Sequence, residues 1–440
     1  MKRASASAAF AALILFFGTS AAGAAPLSTS LEAAREAALR KSAAVRQAEL
    51  AVRSAAYGEK EAFAALLPSV SATAGVGGSV DPAGKLANSY SAGLSASQSL
   101  FSGGARLASL EKARAASAQA AQKLRSARLE ALAETDARYL AALESARNYE
   151  TALKDLEAAE LRLRIAEAKK EAGDLAAGDF LEVQSAWAVK KTSAVQAKYA
   201  AEADRKRLAF LLGADAAPED LDEDLYEGLA AAVGAGAEAD PEAFAERLFR
   251  DSRGSNPGLL QKDSAVALAR LSVRTKTAAF FPSVSASLSY RASGSDPAVL
   301  SATPSFSVNA SIPIFPFSGT VAGVASAELD AEIAAVSVEA AEDEVLLSFY
   351  TTTLGILSAS EQIESAEAAL AFAEQNHRLA LERFRLSAGT MSSVADAEAA
   401  LTAARAKSVK TRFDLYAAVM DLVHLTGEER EESLRNALDR

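Results

Sequence analysis

Two histidines, His377 and His424, and no cysteine are all that 440 residues offer in soft metal ligands or nucleophile activators. Neither histidine has a second His or Cys at ligand spacing, so no zinc-type site can be built from them and both read as structural. Absent cysteine also excludes disulfides and thiolate sites. No glycine-rich loop is followed by a phosphate-binding Lys, and no Ser or Thr stands in an activated-nucleophile pattern, so the chain does not read as an enzyme. What remains is the chemistry of fixed charge. Asp396 and Glu398 follow closely on Gly389. Two residues apart on a helix they diverge by roughly 200°, so at most one can face a given neighbour or passage. Glu182 stands at the place of Asp396 in an internal repeat.

The elements that must position such charges announce themselves by periodicity. In Leu67–Phe101, Ser69, Ser71 and Thr73 alternate with Val70, Ala72 and Ala74, and Ser89, Ser91, Ser95 and Ser97 alternate with Tyr90, Ala92, Leu94 and Ala96. A strand points successive side chains to opposite faces, so each run has one small polar face and one apolar face. The segment between them holds Asp81-Pro82, Gly84 and Asn88, which are turn formers. This predicts a β-hairpin over 68–101. Phe281-Pro282-Ser283-Val284-Ser285-Ala286 repeats Leu67-Pro68-Ser69-Val70-Ser71-Ala72, and it opens a second hairpin over 282–315, displaced by 214 residues. There Ser283, Ser285, Ser287, Ser289 and Arg291 oppose Val284, Ala286, Leu288, Tyr290 and Ala292. The runs are long enough for the roughly 9–11 residues that a tilted strand needs to cross a bilayer.

The chain opens with a basic Lys2-Arg3, an apolar Phe10–Phe17 and small residues Ala22-Gly23-Ala24, the pattern of a signal peptide over 1–24. Its removal leaves 44 basic against 57 acidic residues, a net charge of −13, which argues against a nucleic-acid partner. None of the eleven prolines lies between Ala105 and Ala217, and none follows Pro316. Both regions are rich in Ala, Glu, Leu, Arg and Lys and read as helix. Helices are predicted near 31–66, 104–172 and 180–212, and again near 257–280, 320–386 and 394–426, with tip turns at 172–179 and 387–393. The 104–172 helix would be roughly 100 Å long, and two helices of about 50 Å stacked end to end would match it. Ile356, Ala359, Ile363, Ala366, Leu370, Ala373, His377, Ala380 and Phe384 keep the 3,4 spacing of coiled-coil packing. The domain plan is a first repeat over 25–212, an acidic and Gly/Ala-rich linker or equatorial segment over 213–250, a second repeat over 251–427 and a tail over 428–440.

One chain supplies only four strands of membrane type. Open sheet edges cannot sit in hydrocarbon, where unpaired N–H and C=O groups find no water. Two copies would barely close a barrel, whereas three would make one of twelve strands with an open lumen.

At this point the chain resembles the TolC-like outer-membrane efflux proteins, the outer membrane factors, across essentially the whole mature sequence. The resemblance rests on an ordered set: LLPSVSA and FFPSVSA entering the first strand of each half, SLFSGG and PIFPFSG leaving the second, and returning helices ending in LAFLLG and LVHLTG. It implies a homotrimer with a twelve-stranded β-barrel in the outer membrane, continued by a long α-helical coiled-coil barrel into the periplasm of a Gram-negative-type cell. It implies outer-membrane lipid around the barrel, and a periplasmic adaptor protein and an inner-membrane transporter as partners. The function implied is passive export in a tripartite efflux pump or type I secretion system, without cofactor. By the same resemblance Asp396, Glu398 and Glu182 are candidates for an acidic pore constriction, although the spacing of the acids from Gly389 departs from the family's usual pattern. Gly173, Leu386, Gly389 and Thr390 are candidates for adaptor contact at the tips. Tyr90, Phe101, Tyr290, Phe306 and Phe315 are candidates for the membrane's aromatic girdle. The alternative is a non-conducting periplasmic coiled-coil scaffold or adaptor, which would need neither four alternating strands nor aromatics on their apolar faces.

Overall fold

The computed structural model describes residues 27–80, 86–315, 318–386 and 388–427. The leader, residues 81–85 of the segment expected to turn the first hairpin, Pro316-Phe317, Ser387 of the second tip and the tail at 428–440 lie outside the described residues. The first half runs β1 (Leu27–Thr29), α1 (Leu31–Lys41), α2 (Ala43–Ala64), β2 (Ser69–Val80), β3 (Leu86–Ser102), α3 (Ala105–Glu171) and α4 (Ala177–Leu212). A middle segment holds β4 (Ala216–Pro218), α5 (Glu223–Ala237) and α6 (Pro241–Ser252). The second half runs α7 (Pro257–Thr277), β5 (Ser283–Asp296), β6 (Val299–Ser311), α8 (Ser318–Arg385) and α9 (Met391–Leu425).

Each half is therefore a helix, a hairpin, a very long helix and a returning helix. α3 packs against α2 and α4, α8 against α7 and α9, and the halves join through α3 with α7 and α9. The predicted seam is where the helices meet: Ile356, Ala359, Ala366, Ala380 and Phe384 are all buried. Alanine at three of these five positions lets helix axes approach closely there.

Several boundaries differ from the sequence-based expectation, each for a local reason. The helix expected over 31–66 is two, because Ser42 leaves helical geometry (φ −53°, ψ 122°) and its side chain caps α2 by accepting from Val45 N. The returning helices begin at Ala177 and Met391, three residues earlier than expected. In the second half Thr390 is the reason: its hydroxyl accepts from Ser393 N, which draws 391–393 into the first turn. The middle segment, expected as a linker or an equatorial segment, is folded, and α6 runs past residue 250. Asp222 and Asp240 cap α5 and α6 through their side chains. Tyr226, Leu229, Val233, Phe244 and Leu248 then bury against Phe349 and Ile356 of α8 and Leu415, Tyr416, Val419 and Met420 of α9. Gly236 is required there, since a Cβ would come within 2.5 Å of the Phe244 ring. β1 and β4 form a short parallel pair that no periodicity announced, tied to α3 where Tyr139 Oη donates to the Thr29 and Glu219 carbonyls.

The second sheet is antiparallel in the order β2-β3-β5-β6, so both hairpins lie side by side. β5 and β6 are joined by a tight turn at Pro297-Ala298, where Asp296 accepts from Ala298 N.

Candidate functional site

Register makes the sheet two-faced. Ser71, Ser95, Ser289 and Ser305 lie in one row across all four strands, and Ser69, Ser97, Ser287 and Ser307 in the next. Their hydroxyls bond across the strands at 2.7–2.8 Å, as in Ser71–Ser95 and Ser289–Ser305. The opposite face carries Val70, Val76, Leu94, Leu288, Tyr290, Phe306 and Val308, all exposed. A continuous apolar face of this size, left open by the chain itself, is one that lipid or another chain must cover. Gln98 is polar on that face, but its amide folds back to donate to Leu66 O at 2.8 Å.

The aromatic candidates fall on this face at different heights. Phe101 reaches it through a β-bulge: Ser99 pairs with Ser285 but Phe101 pairs with Val284, so the inserted Leu100 turns Phe101 out of the serine phase. Tyr90 pairs with Gly294, ten residues further along β5. Ten residues at about 3.4 Å, tilted by about 40°, span roughly 26 Å of height, close to the apolar band of an outer-membrane barrel. Phe306 and Tyr290 lie between these levels, opposite Leu288 and Pro304. Phe315 lies beyond β6 and is 79% exposed.

At the other end of the long helices the two tips pack together. Ala166 and Val183 meet Ala380, Phe384, Met391, Val394 and Ala397 in one cluster. Lys169 donates to Phe384 O at 2.8 Å, and its ammonium lies 4.4 Å from that ring's centroid. Gly173 turns the first tip with φ 81°, a left-handed conformation that favours glycine. Gly389 packs so tightly that a Cβ would approach Arg383 Cβ at 3.1 Å, while Leu386 beside it is 77% exposed. Thr390 is the cap of α9.

The structure separates the two acids after this tip. Asp396 is exposed on α9, as is Glu182 on α4. Glu398 is buried and ion-paired with the equally buried Arg162 of α3. Two helical turns along α3, Asp155 accepts from Arg405 at 2.8 Å, Lys190 at 3.2 Å and Thr402 at 2.5 Å, joining α3, α4 and α9. Burial holds His377, beside this cluster, below the ordinary imidazole value, against the pull of Glu398. Sequence reading missed the cluster. Its signal was opposite charge at seam spacing: Asp155 and Arg162 on one helix, Glu398, Thr402 and Arg405 on the other. A second buried node lies near the middle segment, where Asp136 accepts two bonds from Arg35 at 2.7 and 2.6 Å and lies 2.9 Å from His424 Nε2. Among the described residues no group of His, Cys, Asp and Glu could hold a metal ion, and no helix is long and apolar enough to cross a membrane.

Solved structures share this architecture. CusC aligns with a TM-score of 0.80 at 17% identity, covering 92% of this chain and 93% of its own. VceC, an outer membrane protein of Vibrio cholerae, aligns at 0.76 and 16%, covering 90% and 96%. The MtrE outer membrane channel of Neisseria gonorrhoeae, in its open state, aligns at 0.76 and 18%, covering 91% and 89%. At such identities the likeness shows the fold. No curated protein matches the sequence significantly. The family model described as outer membrane efflux protein matches residues 34–214 and again 248–428, at the same 214-residue displacement as the hairpins. With more than half its residues matched, in both of its repeats, the chain belongs to the outer membrane efflux protein family.

Proposed function

We propose that three copies close their sheets edge to edge into one twelve-stranded barrel, and that the assembly is the passive exit duct of a tripartite efflux pump or type I secretion system. A periplasmic adaptor and an inner-membrane transporter would feed it. The observation that carries this reading is the pair of sheet edges, β2 and β6, which have no strand partner on their outer side among the described residues, on a sheet whose one face is apolar and exposed. In hydrocarbon each unpaired backbone group costs several kcal/mol, so such a sheet is stable only once closed. The solved neighbours whose printed names speak of transmembrane channel formation and an outer membrane channel support the same reading.

Asp396 is the acid left free for a ring at the narrow mouth, because Glu398 is occupied by Arg162. Three copies around an axis would concentrate negative potential there and favour cations. The exposed tip residue Leu386 and the half-buried Gly389, with Gly173 and Thr390 shaping the turns, are the surface offered to the adaptor.

Detergent-solubilised outer membranes should yield a particle with the mass of three chains that conducts in planar bilayers. Asp396→Asn should lower its cation preference and divalent block, and Glu398→Gln should change both less. A stable monomer soluble without detergent would overturn the duct and favour a scaffold. Unchanged selectivity in Asp396→Asn would overturn the ring alone.

A further inference from the structure

The serine face of the sheet carries one charge away from its ends. Among the described residues of β2, β3, β5 and β6 the charged side chains are Arg291 and Asp296, and Asp296 sits at the hairpin turn, bonded to Ala298 N. Arg291 has the parity of Ser287, Ser289 and Ser293, so it projects from the polar face and not from the face of Leu288 and Tyr290. Its row across the sheet is Thr73, Gly93, Arg291 and Thr303. The rows on either side are Ser71, Ser95, Ser289, Ser305 and Gly75, Ser91, Ser293, Ser301. Arg291 is exposed, and no acidic side chain pairs with it among the described residues. Gly93 beside it presents no side chain, and a Cβ there would come within 3.3 Å of Thr73 Oγ1. A guanidinium thus stands in a clearing, ringed by hydroxyls that can donate, in a chain whose net charge is −11. A fully protonated group with five N–H donors and no acceptor suits carboxylate and phosphate oxygens.

Resting on the trimeric barrel proposed above, we propose that three copies of Arg291 form a cationic ring inside the lumen that binds multivalent anions. The barrel's own dimensions carry this further. Twelve strands 4.7–4.9 Å apart and tilted about 40° give a backbone radius of roughly 12 Å. An extended arginine reaches roughly 6 Å inward. A solute on the axis then lies about 6 Å from each guanidinium, inside the Debye length of about 8 Å at physiological salt. The ring acts on such a solute by summed field rather than by chelation, and low-dielectric walls focus that field. Polycarboxylates and polyphosphates are held best, and univalent anions little. The outer exit then selects opposite to the acidic mouth, and a transported anion meets its attractive site after the helical tunnel.

The test uses full-length wild-type and variant trimers in planar bilayers, with inorganic tripolyphosphate added on the sheet side. Wild-type current should be blocked in a voltage-dependent way that weakens as salt rises. Arg291→Ser should raise the half-blocking concentration by about tenfold or more, the scale on which such fields concentrate counter-ions. Arg291→Lys should keep the block, and Arg291→Glu should abolish it while strengthening, beyond wild type, block by a trivalent cation added on the sheet side. Trimer mass in detergent confirms assembly of each variant. Equal block of wild type and Arg291→Ser, or no block of wild type, overturns the ring and leaves the duct standing. A wild-type protein that forms no conducting pore overturns the duct, and the ring with it.

Discussion

Two acids two residues apart on α9 have opposite fates, and the reason is what each meets. Glu398 faces α3 and finds Arg162, with both side chains less than a tenth exposed. A buried pair adds little net stability over an apolar one, but removing one partner strands the other charge. Glu398→Gln should therefore destabilise the tip by about 3–5 kcal/mol, seen as earlier melting or faster proteolysis there, while Asp396→Asn should leave melting unchanged. Equal melting of both variants would deny the pair its structural role. At the other node, burial works to raise the pKa of Asp136, but the bonds from His424 and Arg35 outweigh it and hold the group below its ordinary value. A carboxylate depressed in the folded state contributes stability that is fully present above its unfolded value, about 3.9, and is lost as pH falls through the folded value. Asp136→Asn should lose stability at neutral pH, and the gap to wild type should narrow below about pH 4. A gap that stays constant down to acid collapse would mean that Asp136 does not carry this dependence.

At the scale of the element, one inserted residue decides which way an aromatic points. Counting by twos puts Phe101 with Ser95 and Ser97, yet the bulge at Leu100 pairs it with Val284 on the apolar face. Single cysteines on this Cys-free background read the faces directly. Positions 71, 95, 287 and 307 should react with a water-soluble maleimide, and 70, 94, 288 and 308 should not. Position 101 should behave as the second group despite its odd number. Deleting Leu100 should remove the bulge and leave Phe101 directly after Ser99, still opposite Val284, so the cysteine placed there should remain unreactive. Labelling of Phe101→Cys as strong as that of Ser95→Cys in the intact strand would contradict the bulge.

At the scale of the molecule, an outer-membrane efflux channel has to hold copies together along its helices as well as its strands. Val321, Leu329, Ile333, Val336 and Leu347 of α8 are all exposed in the single chain, at spacings that keep one face. On α2, Leu50 and Tyr57 are exposed as well. In the trimer proposed above, these are the faces that neighbouring copies should bury. Ile333→Asp should retain helix content by circular dichroism yet release monomers from detergent-solubilised trimers at temperatures that leave wild type intact. Trimers as heat-resistant as wild type would exclude α8 from the contact between copies.

The sequence alone determined the duplicated hairpin, the two-faced strands, the very long helices and the seam, because each is written in a period of two or of three and four that any short window displays. It also showed Asp396 and Glu398 diverging around a helix. What it could not show is which of the divergent directions meets Arg162, since that neighbour lies on another helix and arrives only when α3 and α9 pack. The break at Ser42, the packing of the middle segment against α8 and α9 and the bulge at Leu100 were likewise hidden. A cap or an inserted residue shifts phase by a single position, and its cost or benefit is set by the surface it is fitted against. Local periodicity specifies elements and their faces; pairing of faces depends on contacts between residues far apart in the chain, and only the packed structure decides those.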